Sequence, residues 1–451
     1  MTYQERLLRV IPGGAHTYSR GFDQFPSNAP HILVRGMGAY VWDADGRRYL
    51  DYGMALRSVT LGYANSRVSE AAYAEILKGN NLTRASLTEL EAAELITGLI
   101  PSAEMVKFAK NGSNVTTAAV KVARAYTGRR LVCIPRQHPF FSYDDWFIGT
   151  TPVKRGIPPE HFVNTKLFDY GEIGSLRSLF SEFPDQIAAV MLEPATTHSP
   201  CDGRCDRGFS YESQCASCPN NQRIFLQEVA QICRANGALL VFDEMITGFR
   251  WDLRGAQEFF GVRPDLSTFG KAMANGFSVA ALTGRREVME VGSISEPGAE
   301  RTFLLSTTHG GEMCGLGAFL ETVRVYQDED VCRHLWSYGA RLKSGILAVA
   351  EDAGVAEYFS IAGPPISMTF VAKDREGTSS PEFRTLFLQE MLRQGVQIPW
   401  IAVSLAHGER ELEITLDAAS KALNVYARAL TDGPLKHLEG SAVKPVFRRY
   451  N

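Results

Sequence analysis

Through the middle of the chain, short unbroken apolar runs alternate with longer segments whose apolar residues recur at helical spacing. The runs MVKFAK (105–110), RLVCIP (130–135), IAAVMLEP (187–194) and ALLVFDE (238–244) have the length and character of strands buried on both faces. Between them, TTAAVKVARAYTG (116–128) and NQRIFLQEVAQICRANG (221–237) carry helical spacing and end on glycine, a frequent helix stop. This alternation predicts an α/β fold with a largely parallel sheet. Nearer the start, GAYVWDADGRRYLDY (38–52) alternates around an Asp-Gly pair and predicts a hairpin. From about residue 330 the pattern becomes helical with a few short strands, which marks off a C-terminal portion.

Composition narrows the partners. With 451 residues, 45% hydrophobic and 22% charged, the chain is long enough for one large core and a smaller satellite. Its 47 basic and 50 acidic residues nearly cancel without a long block of either sign, so there is no electrostatic footprint for nucleic acid or anionic lipid. No apolar stretch reaches the length of a membrane span, and MTYQERLLRVIPGG lacks an apolar signal core, which gives the expectation of a cytoplasmic protein acting on small molecules.

The strand run LVFDEMITGFRW (240–251) passes from hydrocarbon straight into Asp243 and Glu244. Paired acids at such a place cap a helix or edge a loop in many proteins. In open α/β sheets, however, ligands sit at the carboxyl ends of the strands, where a carboxylate meets a positive group. A second strand end, KFAKNGSNV, runs into Asn111, Gly112, Ser113 and Asn114 before a helix. Glycine lets a ligand approach the backbone, serine offers a hydroxyl, and the open amides of a helix start favour an anion, so this is chemically a phosphate cradle. An ordinary capped turn would look the same. A P-loop would end in GK[ST], and this segment does not. Lys271, in DLSTFGKAMANG, lies in a stretch too apolar for a solvated face. A phosphate, a positive ring nitrogen and an aldehyde that condenses with an amine together describe pyridoxal 5′-phosphate (PLP).

The chain resembles class III aminotransferases, fold-type-I PLP enzymes, and especially the branch near glutamate-semialdehyde aminomutase. The matching segments are IPGGAHTYSRGF, GAYVWDADGRRYLDY, FAKNGSNVTTAAVKVARAYTGR, FDEMITGFR, GVRPDLSTFGKAMANG and STTHGGEMCGLGA, in the family's order over residues 6 to 430 or so. The resemblance implies a large PLP-binding domain with a mainly parallel central sheet over residues 61–325. It also implies a smaller α+β domain from both chain ends, residues 1–60 and 326–451. Lys271 would hold the cofactor as a Schiff base and serve as acid and base. Asp243 would pair with the ring nitrogen, Gly112 and Ser113 would take the phosphate, and Met245 would lie against one ring face or simply fill core. Thr308 would reach the phosphate bound to a neighbouring subunit, which implies a homodimer with shared active sites. Phe140 falls at the family's ring-stacking position, with His138 as the rival. Ser19 and Arg20 match the segment lining the substrate entrance, where Arg20 is placed either to bind a carboxylate or to lie on the surface.

Departures from the family carry equal information. The phosphate segment NGSNV keeps glycine and a hydroxyl but lacks the family's acidic residue. A loop of residues 198–221 replaces a short family loop and holds Cys201, Cys205, Cys215 and Cys218, spaced C-x3-C-x9-C-x2-C. That spacing suits a closed tetrahedral zinc site; an iron–sulfur cluster or four free thiols are the alternatives. Cys133, Cys233, Cys314 and Cys332 are scattered in apolar surroundings and read as space-filling. The expected reaction is transfer of an amino group from a donor such as glutamate to a carbonyl acceptor, a keto sugar or ulosonic acid of a polysaccharide or natural-product pathway. The alternatives are an aminomutase and, more remotely, a non-catalytic PLP-fold binding protein.

Overall fold

The computed structural model describes residues 1–200, 210–218, 224–295 and 297–451. The chain forms two compact units: Met1–Asn65 with His334–Asn451, and Ser66–Arg333.

In the first unit a helix over Tyr3–Val10 and three short turns precede three antiparallel strands, β1 (Leu33–Met37), β2 (Tyr40–Asp43) and β3 (Arg48–Asp51). The expected hairpin is β2–β3, with Tyr40 opposite Leu50. Asp43 closes its turn by accepting the N–H groups of Asp45 and Arg47 at 3.0 and 2.8 Å, while Gly46 takes the left-handed φ of 83° that the turn requires.

The second unit is built on seven strands: β4 (Met105–Ala109), β5 (Leu131–Pro135), β6 (Thr165–Phe168), β7 (Ile187–Leu192), β8 (Leu239–Asp243), β9 (Leu266–Phe269) and β10 (Ala280–Gly284). Their order is β4-β10-β9-β8-β7-β5-β6. Strands β9, β8, β7, β5 and β6 run parallel, and β10 is antiparallel to both β9 and β4. It follows that β4 points the same way as the parallel set, and the carboxyl ends of β4, β8 and β9 share one edge. Every residue of β5, β7, β8, β9 and β10 is buried, which is why β5, β7 and β8 read as continuous apolar runs. The Gly112–Thr127 helix covers the sheet with Val115, Ala118, Ala119, Val122 and Ala123, and stops at Gly128 with φ 67°.

Returning to the first unit, β11 (Phe359–Ala362) pairs with β12 (Thr369–Ala372), and β13 (Val396–Gln397) runs parallel to β3. After β3, Met54, Ala55, Leu56 and Arg57 adopt successive positive φ values of 40°, 48°, 61° and 68°. This left-handed turn without glycine costs on the order of 1–2 kcal/mol per residue. It persists because Asp51 anchors it: the buried carboxylate accepts Gly53 N–H, Met54 N–H, Tyr63 O–H and Gln397 Nε2–H, and Tyr63 in turn accepts Ala55 N–H. Among the described residues, no helix is long and apolar enough to cross a membrane.

Candidate active site

Strand direction places the key residues at one edge of the second unit's sheet. Asp243 ends β8 and is fully buried. Its Oδ1 accepts Met245 N–H and the Thr268 hydroxyl, each at 3.0 Å. Both bonds fall on one oxygen, so Oδ2 is the atom left to meet a cationic ring nitrogen. Burial pushes the carboxyl up to about 6, opposed by those two hydrogen bonds and by the charge of Lys271. A protonated ring nitrogen beside it would reverse that shift and keep the pair ionised.

Glu244 is a different kind of acid. Its carboxylate accepts the backbone N–H groups of Ala256 and Gln257, the Gln257 side-chain amide and the Thr247 hydroxyl. It therefore caps the short Ala256–Phe260 helix, and Gly255 is needed there because a Cβ would lie 2.8 Å from Glu244 Oε1. Of the two adjacent carboxylates, Glu244 is structural and Asp243 faces the site.

Lys271 follows β9 and Gly270 with φ 42°, a left-handed conformation for a residue with a side chain. Such strain marks functional positions in many proteins. Gly270 is extended, and a Cβ on it would stand 2.7 Å from Met245 Sδ; one on Gly112 would stand 3.0 Å from the same sulfur. Met245 thus touches the backbone of both the lysine loop and the cradle, linking β8, β9 and β4.

The cradle is the start of the Gly112–Thr127 helix. Asn111 caps it by accepting Asn114 N–H, which leaves Gly112 and Ser113 N–H at the open end. Ser113 is buried and accepts Tyr143 N–H at 3.0 Å, so its own hydrogen is available to an anion. Helix dipole, amides, hydroxyl and glycine clearance suit a phosphate, and the neighbouring carboxylate, lysine and thioether suit a pyridine ring; the residues present fit PLP.

Tyr143 belongs to a loop laid over this helix, since Thr116 donates its hydroxyl to Phe141 O at 2.8 Å. In that loop Phe140 is half exposed, with its ring edge-on to Phe147. His138 is enclosed: its Nδ1 accepts Glu193 N–H at 3.1 Å, its ring tilts against Tyr170, and burial pushes its pKa down to about 3. An open ring can stack on a ligand and an enclosed one cannot, which favours Phe140. Thr308 is exposed, and its carbonyl accepts Asn81 Nδ2 at 3.1 Å. Ser19 and Arg20 lie in the other unit, in a short turn where Arg20 is exposed. Cys201 and Cys205 lie outside the described residues. Cys215 is buried, and Cys218 N–H bonds to its carbonyl at 3.0 Å. Among the described residues, no three His, Cys, Asp or Glu side chains are grouped to hold a metal.

Thr268 was not among the expected site residues. Its signal is faint: it sits three positions before Lys271, on a strand where alternation turns it toward Asp243.

A mainly parallel sheet with carboxylate, lysine and phosphate cradle at one edge defines a fold-type-I PLP enzyme. The aminotransferase class-III model matches residues 23–154 and 170–423, and the chain belongs to that family. A glutamate-1-semialdehyde 2,1-aminomutase of Alkaliphilus oremlandii is 31% identical over 443 residues, covering 93% of this chain and 97% of that one. Among solved structures, the FumI protein of Sphingopyxis sp. MTA144, determined with PLP, is similar with a TM-score of 0.81, 28% identity and 97% of each chain covered. An omega-transaminase from Sphaerobacter thermophilus superposes with a TM-score of 0.78 at 26% identity, covering 94% of this chain and 97% of its own.

Proposed function

We propose that the protein is an aminotransferase that takes an amino group from a donor, glutamate foremost, and delivers it to a separate carbonyl acceptor of the keto-sugar or ulosonic-acid kind. The observation that carries this reading is the meeting of Asp243, Met245, Gly270 and the Gly112–Ser113 cradle beside Lys271. When bound, PLP supplies an electron-withdrawing ring that stabilises negative charge on the substrate carbon bearing nitrogen. Asp243 would hold the positive charge on the ring nitrogen, and Thr268 fixes the carboxylate's orientation through Oδ1. The Lys271 amine removes the proton from the substrate carbon and returns one during transfer. Gly112 and Ser113 would hold the phosphate, and Phe140 and Met245 would lie against the ring. Arg20 takes a substrate carboxylate in a planar, bidentate grip.

The active form is a homodimer in which Thr308 serves the neighbouring subunit's site; its exposure within this chain supports that reading. The four cysteines of the 198–221 loop bind one structural zinc.

The aminomutase reading is favoured by the Alkaliphilus oremlandii relative. Against it stand the NGSNV cradle and the cysteine loop, both departures from the family pattern. The discriminating experiment loads the holoenzyme with glutamate, follows conversion of the cofactor to its amine form by absorbance, and then screens carbonyl compounds for reversal. Reversal by external acceptors supports the aminotransferase. Turnover of glutamate-1-semialdehyde alone, with inertness to glutamate, overturns it.

A further inference from the structure

The segment TTHGGE (307–312), which carries Thr308, forms a turn closed by Gly310 N–H to Thr307 O at 3.1 Å and Glu312 N–H to His309 O at 3.2 Å. Other parts of the Ser66–Arg333 unit hold this turn from outside. Asn81 Nδ2 donates to Thr308 O at 3.1 Å. Asn80, with a left-handed φ of 55°, grips the far end: Nδ2 donates to Glu312 Oε1 at 2.9 Å, Oδ1 accepts Cys314 N–H at 3.0 Å, and the carbonyl accepts Met313 N–H at 2.7 Å. It thereby caps the Met313–Glu329 helix from another segment. The two glycines pack too closely for side chains, since a Cβ on Gly310 would stand 3.2 Å from Phe108 O and one on Gly311 2.4 Å from the Glu89 carboxyl carbon.

The remaining hold is an ion pair. Lys110 Nζ donates to Glu312 Oε2, with the two side chains only 22% and 25% exposed. Lys110 directly follows β4 and precedes Asn111, the cap of the cradle helix, and its carbonyl accepts the Ser278 hydroxyl at 2.6 Å. One side chain therefore joins the root of this chain's own cradle to the turn that carries Thr308. The bonds from Lys110 and Asn80 also hold the Glu312 carboxyl below its ordinary range, which keeps it charged. Thr308 is exposed and is fixed through its backbone.

We propose that Lys110, Glu312 and Asn80 are positioning residues that hold Thr308 ready for the phosphate of the neighbouring subunit. This rests on the shared-site reading above. A hydroxyl on a loose turn loses conformational freedom each time it engages a ligand, whereas one on a braced turn is already in place. Lys110 and Glu312 thus act on cofactor retention without touching the cofactor's phosphate themselves.

The test follows PLP release from diluted holoenzyme by absorbance, with thermal unfolding measured alongside. Glu312→Gln leaves one oxygen for two donors and removes the charge facing Lys110. Release is expected to quicken about fivefold, short of the roughly tenfold expected for Thr308→Ala because the backbone bonds of the turn remain. The unfolding temperature stays near that of wild type, since a partly exposed ion pair adds little to stability. Lys110→Met follows Glu312→Gln, and Lys110→Arg, which keeps the charge, stays near wild type. In a Thr308→Ala background, Glu312→Gln adds nothing further. Equal losses with and without Thr308 place the effect elsewhere and overturn the inference, as does unchanged release in Glu312→Gln when Thr308→Ala quickens it. Unchanged release in Thr308→Ala overturns the shared-site reading, and this inference with it.

Discussion

Thr268 on β9 donates its hydroxyl to Asp243 Oδ1 on β8 at 3.0 Å, across a strand pair whose register sets the two residues side by side. Asp243 is thereby locked with one oxygen engaged and its carboxyl raised by burial to about 6 from 3.8. A raised folded-state value means that the folded apoprotein binds more protons than the unfolded chain between 3.8 and about 6. Stability therefore falls as pH rises through that window, and the penalty is fully present above it, on the order of 3 kcal/mol. Urea unfolding of the apoprotein across this range is expected to show the slope, and Asp243→Asn to flatten it. The same variant retains PLP but turns over roughly a hundredfold more slowly or worse, because its neutral amide does not hold the ring positive. Wild-type turnover in Asp243→Asn removes the assigned role.

Gly270 and Met245 form the second relationship open to test. A methyl group on residue 270 meets the Met245 sulfur at 2.7 Å, so Gly270→Ala must displace Met245 from between the lysine loop and the cradle. PLP affinity, measured by fluorescence titration of the apoprotein, is expected to drop about tenfold. Adding Met245→Ala opens the space and recovers part of that loss, a non-additive pair. Strictly additive losses would show that the sulfur is not the obstacle.

Strands β4, β5, β7 and β8 were legible in the sequence as short apolar runs, whereas β9, Leu-Ser-Thr-Phe, is buried along its whole length without being one. Strand β10 and its reversed direction were not legible, since the short stretch Ala280–Gly284 carries no sign of strand polarity. The separate fates of Asp243 and Glu244 were equally hidden. Nothing within LVFDEM distinguishes them, because the partners that make Glu244 a cap, Ala256 and Gln257, lie twelve and thirteen residues downstream. The left-handed turn at Met54–Arg57 is the clearest case of tertiary override. Its residues are ordinary helix formers, and the conformation is imposed by Asp51, Tyr63 and, from more than three hundred positions away, Gln397. The enclosure of His138 and the exposure of Phe140, which bear on which of them could stack on a ligand, are not encoded in a sequence of neighbouring aromatic residues.

Glu244→Ala is expected to destabilise without touching the chemistry. It strips the acceptor from two backbone N–H groups and a side-chain amide in a buried site, at a cost of about 1–3 kcal/mol for each donor left unsatisfied. Thermal unfolding should shift down by several degrees while kcat of the folded fraction stays near that of wild type. Loss of kcat at unchanged stability would instead assign Glu244 to the reaction.

Thr308→Ala tests the shared site. If the hydroxyl of Thr308 contacts phosphate held by the neighbouring subunit, the variant remains dimeric by light scattering yet loses PLP faster on dialysis, by about tenfold, the worth of one charge-assisted hydrogen bond. An active wild-type monomer would exclude the arrangement.

The cysteine loop offers the sharpest test outside the fold shared with the family. Its described end is pinned: Gln214 bonds to Asp252 at 3.1 Å, Glu212 pairs with Arg333 at 2.6 Å, and the Cys215–Cys218 turn is closed by a backbone hydrogen bond. We propose that Cys215 and Cys218 are two ligands of a four-thiolate set completed by Cys201 and Cys205, which lie outside the described residues. Four thiolates leave no open position, so the metal would not activate water and would act on order and stability alone. Elemental analysis is expected to find about one zinc per chain. Replacing Cys215 and Cys218 with serine should abolish it, lower the unfolding temperature and raise KM for the acceptor more than it weakens PLP binding. A wild-type protein purified without chelators that carries no metal, and whose stability does not respond to added zinc, would reduce the four cysteines to ordinary thiols.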